Sequence, residues 1–286
     1  MPELGEVLTA IVTPFHQDGA VDEQAFVNLM AHLFANGSDG FVVCGTTGEA
    51  STLSDEEHLG VIELAVAERP EGATVTAGVG SNDTRHAVHL TERACELGVD
   101  ALLSVNPYYN RPNRRGIIAH YAEVSRAADR PIVLYNIPQR TGSDMPNDLL
   151  AELAQLDHVD GVKQANNDSL ALVDGLDLYA GNDEILARVL DMGGAGGILT
   201  ASHIVGPEMR RMVDEPDERA TIHASLLEVF EAMAVAPAAV SNKAALNLLG
   251  HAVGKPRLPY VEADAHETAT IRAMLQERGL LVGATV

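Results

Sequence analysis

Short apolar runs rich in β-branched residues recur along this 286-residue chain, and longer segments with apolar residues at helical spacing lie between them. Eight of these runs predict strands, at residues 8–15, 40–45, 74–80, 101–107, 131–138, 159–165, 176–182 and 196–202. Strands that alternate with helices form parallel sheets, and strands with few polar positions are buried on both faces. Eight such units predict an α/β fold, specifically a (β/α)8 TIM barrel.

The alternative to a barrel is an open, doubly wound sheet. That fold would place a glycine fingerprint such as GxGxxG after the first strand, and none follows TAIVTPF. The strand pattern ends near residue 215, and the segments 218–235, 239–250 and 263–279 have helical periodicity. We therefore expect a catalytic barrel over residues 1–215 and a C-terminal helical segment over residues 216–286.

The composition restricts the possible partners. The formal net charge of −22 predicts an acidic surface that repels nucleic acids and anionic membranes. No stretch approaches the ~18 consecutive apolar residues of a membrane helix, and the start MPELGEVLTA lacks the features of a signal peptide. Two cysteines, Cys44 and Cys95, suit a reducing compartment, so we expect a cytoplasmic protein. A small anionic substrate would need local cations, and the chain has three lysines: Lys163, Lys243 and Lys255.

Two residues at the ends of predicted strands suggest imine chemistry, because TIM-barrel active sites lie at the carboxyl ends of the strands. Lys163 lies in the apolar run DGVKQA, where burial would lower its pKa and free the neutral amine to attack a ketone. The alternative is a lysine whose ammonium reaches the rim or pairs with an acid. Tyr135 ends the preceding strand, where its phenol can move protons during imine formation or can simply be a core tyrosine. Lys243, in SNKAALNLLG, fits a structural helix position.

Other polar residues follow neighbouring strands. Thr46 and Thr47 lie in the turn GTTGE, which offers N–H groups and hydroxyls to a carboxylate but is also ordinary helix-start chemistry. Arg140 can bind a substrate carboxylate through its guanidinium or can form a surface salt bridge. The loop NPYYNRP carries Tyr109 and can bring a phenol into a pocket or across a subunit boundary. Without a cluster of Cys and His, the sequence does not indicate metal chemistry.

Six motifs occur in the order, and at about the spacing, found in one family: GTTGEAS, NPYYNRP, YNIPQRTG, GVKQA, AGND and GGAGGIL. From Thr9 to about Gly250 the chain resembles the dihydrodipicolinate synthase / N-acetylneuraminate lyase family. The resemblance implies a (β/α)8 barrel with a C-terminal helical segment, assembled as a homotetramer from two dimers. It also implies a lysine Schiff base with pyruvate or another 2-oxo acid, and a reaction without a metal or an organic cofactor.

The resemblance assigns a set of catalytic residues. Lys163 matches the Schiff-base lysine in GVKQA, and Tyr135 matches the tyrosine of YNIP that donates and accepts protons. Thr46 and Tyr109 match the relay partners of that tyrosine. We expect Tyr109 to reach the site of the neighbouring subunit.

It also assigns a set of substrate-binding residues. Thr47 and Ile198 match positions that hold the pyruvyl group. Arg140 matches the arginine that, in the synthase branch, binds the carboxylate of the second substrate, and lyase-branch members usually lack it. The implied reaction is the condensation of pyruvate with L-aspartate 4-semialdehyde to 4-hydroxy-tetrahydrodipicolinate, on the route to diaminopimelate and lysine.

Two alternatives remain. One is a pyruvate aldolase of the same fold, acting on a 2-keto-3-deoxy sugar acid or on an N-acetylneuraminate-type substrate. The other is a non-catalytic paralogue that keeps only the barrel. The intact set of Lys163, Tyr135, Thr46 and Tyr109 argues against the second alternative, because a decayed paralogue tends to lose such residues.

Three positions depart from the family pattern. Gln164 stands where many synthases have an acid, and Asn182 replaces one acid of a common Gly-Asp-Asp stretch. His86 stands where lysine-inhibited synthases often have glutamate, so the resemblance by itself does not decide whether lysine inhibits this chain. Three other residues still match that regulatory site: Asn82, His58 and Tyr108.

Overall fold

A computed structural model describes residues 4–281 of the chain. Eight parallel strands close into a barrel in sequence order: β1 (Val7–Ala10), β2 (Gly40–Val43), β3 (Thr74–Gly78), β4 (Ala101–Val105), β5 (Ile132–Asn136), β6 (Val159–Gln164), β7 (Asp177–Ala180) and β8 (Gly196–Leu199). Each strand pairs with its sequence neighbour, and β1 pairs with β8. The predicted TIM barrel is confirmed. Every predicted run contains or overlaps one strand but continues past its carboxyl end, in several cases because the first residue of the following loop is also apolar, as at Val79, Ile137 and Ala165.

Helices follow the strands and surround the barrel: α1 (Glu23–Ala35), α2 (Asp55–Glu68), α3 (Thr84–Leu97), α4 (Arg114–Ala127), α5 (Pro138–Thr141), α6 (Asn147–Leu153), α7 (Leu186–Asp191) and α8 (Ser202–Asp214). Local signals determine where several of them start and stop. The Ser54 hydroxyl accepts a hydrogen bond from the backbone N–H of Glu57, and the backbone N–H of Ser54 donates to the Glu57 carboxylate, which forms a capping box at α2. Asp83 caps α3, which ends at Gly98 with a left-handed φ of 84°.

Side chains along each strand alternate between two hydrophobic layers. On β5, Val133 and Tyr135 point into the barrel, whereas Ile132 and Leu134 pack against the surrounding helices. The parallel register aligns Tyr135 with Lys163 on β6. The period of two therefore sends the lysine side chain into the barrel interior, at the carboxyl end of its strand.

Three further helices follow the barrel: α9 (Arg219–Met233), α10 (Ala238–Leu248) and α11 (Ala265–Glu277). They coincide with the three predicted helical segments, and the predicted boundary at 215/216 falls between α8 and α9. Phe230 and Met233 of α9 belong to the same hydrophobic cluster as the barrel helices, so the division into two domains stays a prediction. Among residues 4–281, no single helix has the length and apolar composition of a membrane span. The pair α9 and α10 reaches that length and composition when the two helices are taken together, although a 104° bend separates them.

Candidate active site

A buried lysine and a buried tyrosine lie side by side near the carboxyl end of the barrel. Lys163 is the next-to-last residue of β6 and is 5% exposed, and Tyr135 is the next-to-last residue of β5 and is 6% exposed. The Nζ atom of Lys163 lies 4.3 Å from the centroid of the Tyr135 ring. The predicted proximity of these two residues is therefore present in the structure, and Lys163 does not reach solvent at the rim.

Burial changes the acid–base properties of both groups. Desolvation lowers the pKa of Lys163 to about 7, with the charge of Arg140 acting in the same direction and that of Asp183 in the opposite one. Desolvation raises the pKa of Tyr135 to about 12, against a smaller effect of Arg140. At neutral pH a large fraction of the lysine is thus an uncharged amine, while the tyrosine keeps its proton and can donate it.

These residues face a cavity of about 320 Å³. Its walls include five of the residues predicted for the site: Lys163, Tyr135, Thr46, Thr47 and Arg140. The remaining wall includes residues of α9 and of the start of α10 that the sequence gave no reason to select: Phe230, Met233, Ala236, Pro237 and Ala238. The C-terminal helices therefore cover a site that the barrel strands build.

The turn GTTGE carries Thr46 and Thr47 to this cavity after β2. Thr47 is buried and Thr46 is exposed. The backbone N–H of Glu49 donates to the Thr46 carbonyl at 3.2 Å, and the hydroxyl of Thr13 donates to the Gly48 carbonyl at 2.7 Å. These contacts fix a tight turn whose two hydroxyl groups lie at the cavity wall.

Arg140 lies at the mouth of the cavity. It belongs to the short helix α5 and is exposed, and its backbone N–H donates to the Ile137 carbonyl at 3.0 Å. None of the ion pairs found within the described part of the chain uses its guanidinium, in contrast to the surface salt bridge considered from the sequence. A cation held beside a cavity without an acidic partner can bind a substrate anion.

Two predicted residues lie away from the cavity wall. Tyr109 is 89% exposed at a left-handed φ of 71°, and its backbone N–H donates to the Thr141 carbonyl. Ile198 is fully buried in the barrel interior, in the same cluster as Tyr135 and Tyr179. The roles of Tyr109 in a neighbouring subunit and of Ile198 in holding the pyruvyl group stay predictions.

Asp183 is a component of the site to which the sequence assigned no role. It follows β7, and its carboxylate accepts hydrogen bonds from Thr200 N at 2.9 Å, Thr200 Oγ1 at 2.8 Å and Ala201 N at 3.0 Å. Burial raises the pKa of this carboxyl, and the three hydrogen bonds oppose that effect. Its negative charge raises the pKa of Lys163. In the sequence, the feature that could have drawn attention to Asp183 is its position directly after the predicted strand at residues 176–182.

Two of the departures from the family pattern, Gln164 and Asn182, are held by hydrogen bonds to neighbouring loop and strand residues. Gln164 is buried, and its Oε1 accepts from Asn136 Nδ2 at 3.0 Å and from the backbone of Asn166 at 3.0 Å. Asn182 donates through Nδ2 to the carbonyl of Ala165 at 3.2 Å and to Asn167 at 2.8 Å. Both amides brace the segment that follows Lys163, and Asn182 also lines the cavity that Lys163 faces.

A second cavity of about 430 Å³ shares Thr46, Tyr135 and Arg140 with the first. It also contains two of the three residues that match the regulatory site, together with the third departure: His58, Tyr108 and His86. His86 Nε2 lies 3.0 Å from the Asp55 carboxylate, and its Nδ1 lies 3.2 Å from the Ser81 hydroxyl. The structure thus gives His86 partners from its own chain.

The residues that the structure describes contain no group of three or more His, Cys, Asp or Glu side chains arranged to hold a metal ion. Cys44 is buried and Cys95 is half-buried, and both are free thiols whose pKa burial raises. Neither cysteine has the lowered pKa of a nucleophilic thiolate. The reactive groups at the site are therefore the amine, the phenol, the hydroxyls and the guanidinium.

The closed barrel and its cavity define a TIM-barrel enzyme with its site at the carboxyl ends of the strands. The chain belongs to the dihydrodipicolinate synthetase family, whose sequence model matches residues 3–278. The family membership expected from the six motifs is confirmed.

Three relatives illustrate the similarity. The 4-hydroxy-tetrahydrodipicolinate synthase of Thermosynechococcus vestitus is 38% identical over 294 residues, which cover 98% of this chain and 99% of the relative. The crystal structure of the dihydrodipicolinate synthase of Cyanidioschyzon merolae with lysine bound has a TM-score of 0.91 at 37% identity, covering 97% and 99% of the two chains. The chloride-inhibited synthase of Acinetobacter baumannii complexed with pyruvate has a TM-score of 0.93 at 31% identity, covering 97% and 100%.

Proposed function

We propose that this chain is a lyase that condenses pyruvate with L-aspartate 4-semialdehyde to 4-hydroxy-tetrahydrodipicolinate through a Schiff base on Lys163. The observation that carries the proposal is the buried amine of Lys163, whose pKa falls to about 7, at a cavity 4.3 Å from the ring of Tyr135. A neutral amine is the form that attacks a ketone. Relatives named for this activity and a relative complexed with pyruvate support the same conclusion.

The reaction follows from the groups at the cavity. The Lys163 amine attacks the keto carbon of pyruvate, and loss of water gives an imine. Tyr135 and Thr46 pass the protons that this step requires, because the phenol keeps its proton at neutral pH. Loss of a methyl proton gives an enamine, whose carbon adds to the aldehyde of the second substrate. The amino group of that substrate then closes the ring by attacking the imine carbon and releases the lysine.

Substrate binding is assigned to the remaining residues. Thr47 and the Thr46 backbone hold the pyruvate carboxylate at the turn after β2, and Ile198 supplies an apolar support below it. Arg140 binds the carboxylate of the semialdehyde at the cavity mouth.

The exposed Tyr109 enters the proton relay of a neighbouring subunit, so the proposal includes a homotetramer built from two dimers. It also includes the cytoplasm as the place of action, supported by two free thiols.

Arg140 favours the synthase over the sugar-acid aldolase of the same fold. A sugar acid that is cleaved to pyruvate carries one carboxylate, in the pyruvyl part of the molecule, which the turn after β2 binds. The semialdehyde brings a second carboxylate into the cavity, and a guanidinium at the mouth without an acidic partner among the described residues matches that second charge.

Reductive trapping tests the proposal. The protein is incubated with pyruvate, reduced with borohydride, and analysed by peptide mass mapping. We expect a stable adduct on Lys163, none on buried Lys243 and none on exposed Lys255. Lys163→Ala removes the adduct and the turnover, whereas the matched control Lys255→Ala keeps both. Absence of an adduct in the unchanged protein, or trapping at another lysine, contradicts the proposed function.

A further inference from the structure

A buried ion pair connects the turn after β2 to the C-terminal helices. The Nζ atom of Lys243, on α10, lies 2.6 Å from Oε1 of Glu49, and the two side chains are 1% and 0% exposed. The other carboxylate oxygen, Oε2, accepts a hydrogen bond at 2.8 Å from the backbone N–H of Arg257. Both oxygens of Glu49 are thus held by the part of the chain that follows the barrel.

Burial of this ion pair is energetically unfavourable for the lysine. Desolvation lowers the pKa of Lys243 to about 8, although Glu49 acts in the opposite direction, so burial costs the lysine more than the carboxylate returns. Glu49 also has a left-handed φ of 58°, a conformation unfavourable for a residue with a side chain. Replacement of a buried ion pair by well-packed apolar residues is often neutral or stabilising, so the presence of these two charges is weak evidence for a role in stability.

The pair lies directly behind the site. Glu49 belongs to the turn whose hydroxyl residues, Thr46 and Thr47, line the cavity. Its backbone N–H donates to the Thr46 carbonyl, so the position of Glu49 fixes the peptide that carries Thr46. On the other side, the residues just before and at the start of α10, Ala236–Ala238, form part of the cavity wall. The ion pair thus joins two walls of one cavity that are far apart in the sequence.

An aromatic ring completes the arrangement. The ring of Phe15, which follows β1, has Lys243 Nζ at 4.1 Å and the guanidinium carbon of Arg257 at 4.3 Å from its centroid. Arg257 also pairs with Glu57 on α2. Two barrel loops, the helix α2 and the C-terminal segment meet at this cluster, so a movement of Lys243 is transmitted to the turn through packed contacts.

We propose that the Glu49–Lys243 ion pair positions the Thr46–Thr47 turn for pyruvate binding, and that Lys243 is a positioning residue supplied by the C-terminal helices. This inference rests on the proposed function. It assigns to the helices after the barrel a direct part in the site, because without α10 the turn loses the partner that holds it.

The double variant Glu49→Gln/Lys243→Met tests the proposal. It removes both charges together while nearly keeping both volumes, so neither a buried carboxylate nor a buried ammonium is left alone. We expect kcat/KM for pyruvate and the rate of imine formation to fall by about tenfold to a hundredfold, as small misplacements of binding groups do. The KM for the semialdehyde stays unchanged, because Arg140 belongs to another loop. A purely structural role would leave both KM values unchanged.

The matched control is Arg210→Met. Arg210 pairs with Asp39, which precedes β2 at the opposite end of the barrel, at 2.8 Å. This change lowers the melting temperature and leaves both KM values unchanged. If the double variant does not fold, Glu49→Gln/Lys243→Gln, which also removes both charges but lets the two amides hydrogen-bond, carries the same test with the same expected fall in kcat/KM for pyruvate. Wild-type imine rates and KM values in the folded variant would overturn the inference, whereas failure of the unchanged protein to form an imine would overturn the proposed function instead.

Discussion

The side-chain nitrogen of Lys163 lies 4.3 Å from the centroid of the Tyr135 ring, and the two residues are register partners on β5 and β6. Neighbouring strands in a sheet lie about 4.8 Å apart. The hydrogen-bond ladder of the barrel therefore brings the two side chains together, without the help of a flexible loop. A site built in this way is held within narrow limits, as proton transfer between a phenol and an imine nitrogen requires.

The rate of imine formation is expected to depend on the ionisation of Lys163. The protonated amine cannot attack, and its pKa of about 7 means that the rate falls about tenfold per unit as the pH drops below this value. Above it the rate becomes constant. Stopped-flow measurement with pyruvate across the pH range checks the midpoint. A midpoint at the ordinary lysine value of 10.5 would show that the amine is not desolvated in the folded protein.

Tyr135→Phe removes the proton-carrying hydroxyl and keeps the ring that packs beside Lys163. We expect kcat to fall by about 10²–10⁴, the usual contribution of a general acid–base. Tyr121→Phe is the matched control. Tyr121 is fully buried between the barrel and its helices, and its hydroxyl donates to the Ser104 carbonyl at 3.1 Å. The control loses about 1 kcal/mol of unfolding free energy and keeps its turnover. Equal turnover in the two variants would contradict the role of Tyr135.

Arg140→Ala is expected to raise the KM for the semialdehyde at least about tenfold, since a charge-assisted hydrogen bond to a carboxylate contributes about 1.5–3 kcal/mol. Borohydride trapping of pyruvate continues, because the guanidinium lies at the cavity mouth and not beside the lysine amine. Arg85→Ala, a change at an arginine whose side chain is 94% exposed, serves as the control. Loss of pyruvate trapping in Arg140→Ala would show that the arginine holds the first substrate instead.

Asp183→Asn is expected to shift the pH profile of imine formation to lower pH. The carboxylate raises the pKa of Lys163, so removal of its charge lowers that pKa further. Arg140 acts with the opposite sign, and Arg140→Ala therefore shifts the same midpoint upward. The neighbouring change Glu184→Gln removes the same charge one residue away and leaves the midpoint in place. Shifts in the same direction for Asp183→Asn and Arg140→Ala would contradict the opposite effects of these two charges on the pKa of Lys163.

The strands were predictable because strands buried on both faces leave uninterrupted apolar runs in the sequence. A lysine inside such a run is exceptional, and for this reason the sequence alone indicates Lys163 as a candidate site residue. The carboxyl boundaries of the strands were less predictable, since apolar residues such as Val79 and Ile137 continue into the loops. Hydropathy records burial and does not record where the hydrogen-bond ladder ends.

Contacts made by distant parts of the chain left no local signal. Lys243 has the pattern of a helix lysine, and only folding brings it to Glu49. Phe230 and Met233 look like ordinary core residues of an amphipathic helix, yet they line the cavity. Asp183 was visible at a strand end, but its bonds to Thr200 and Ala201 depend on the closing of β7 against β8.

The order of strands and helices, the helix caps and the selection of Lys163 as the candidate amine follow from the sequence alone, because hydrophobic periodicity and capping depend on neighbouring residues. The lowered pKa of Lys163, the cover over the cavity and the pairing of Glu49 with Lys243 depend on the tertiary structure. Desolvation and ion pairing are set by distances through space, and a closed barrel determines those distances only when all eight strands are in place.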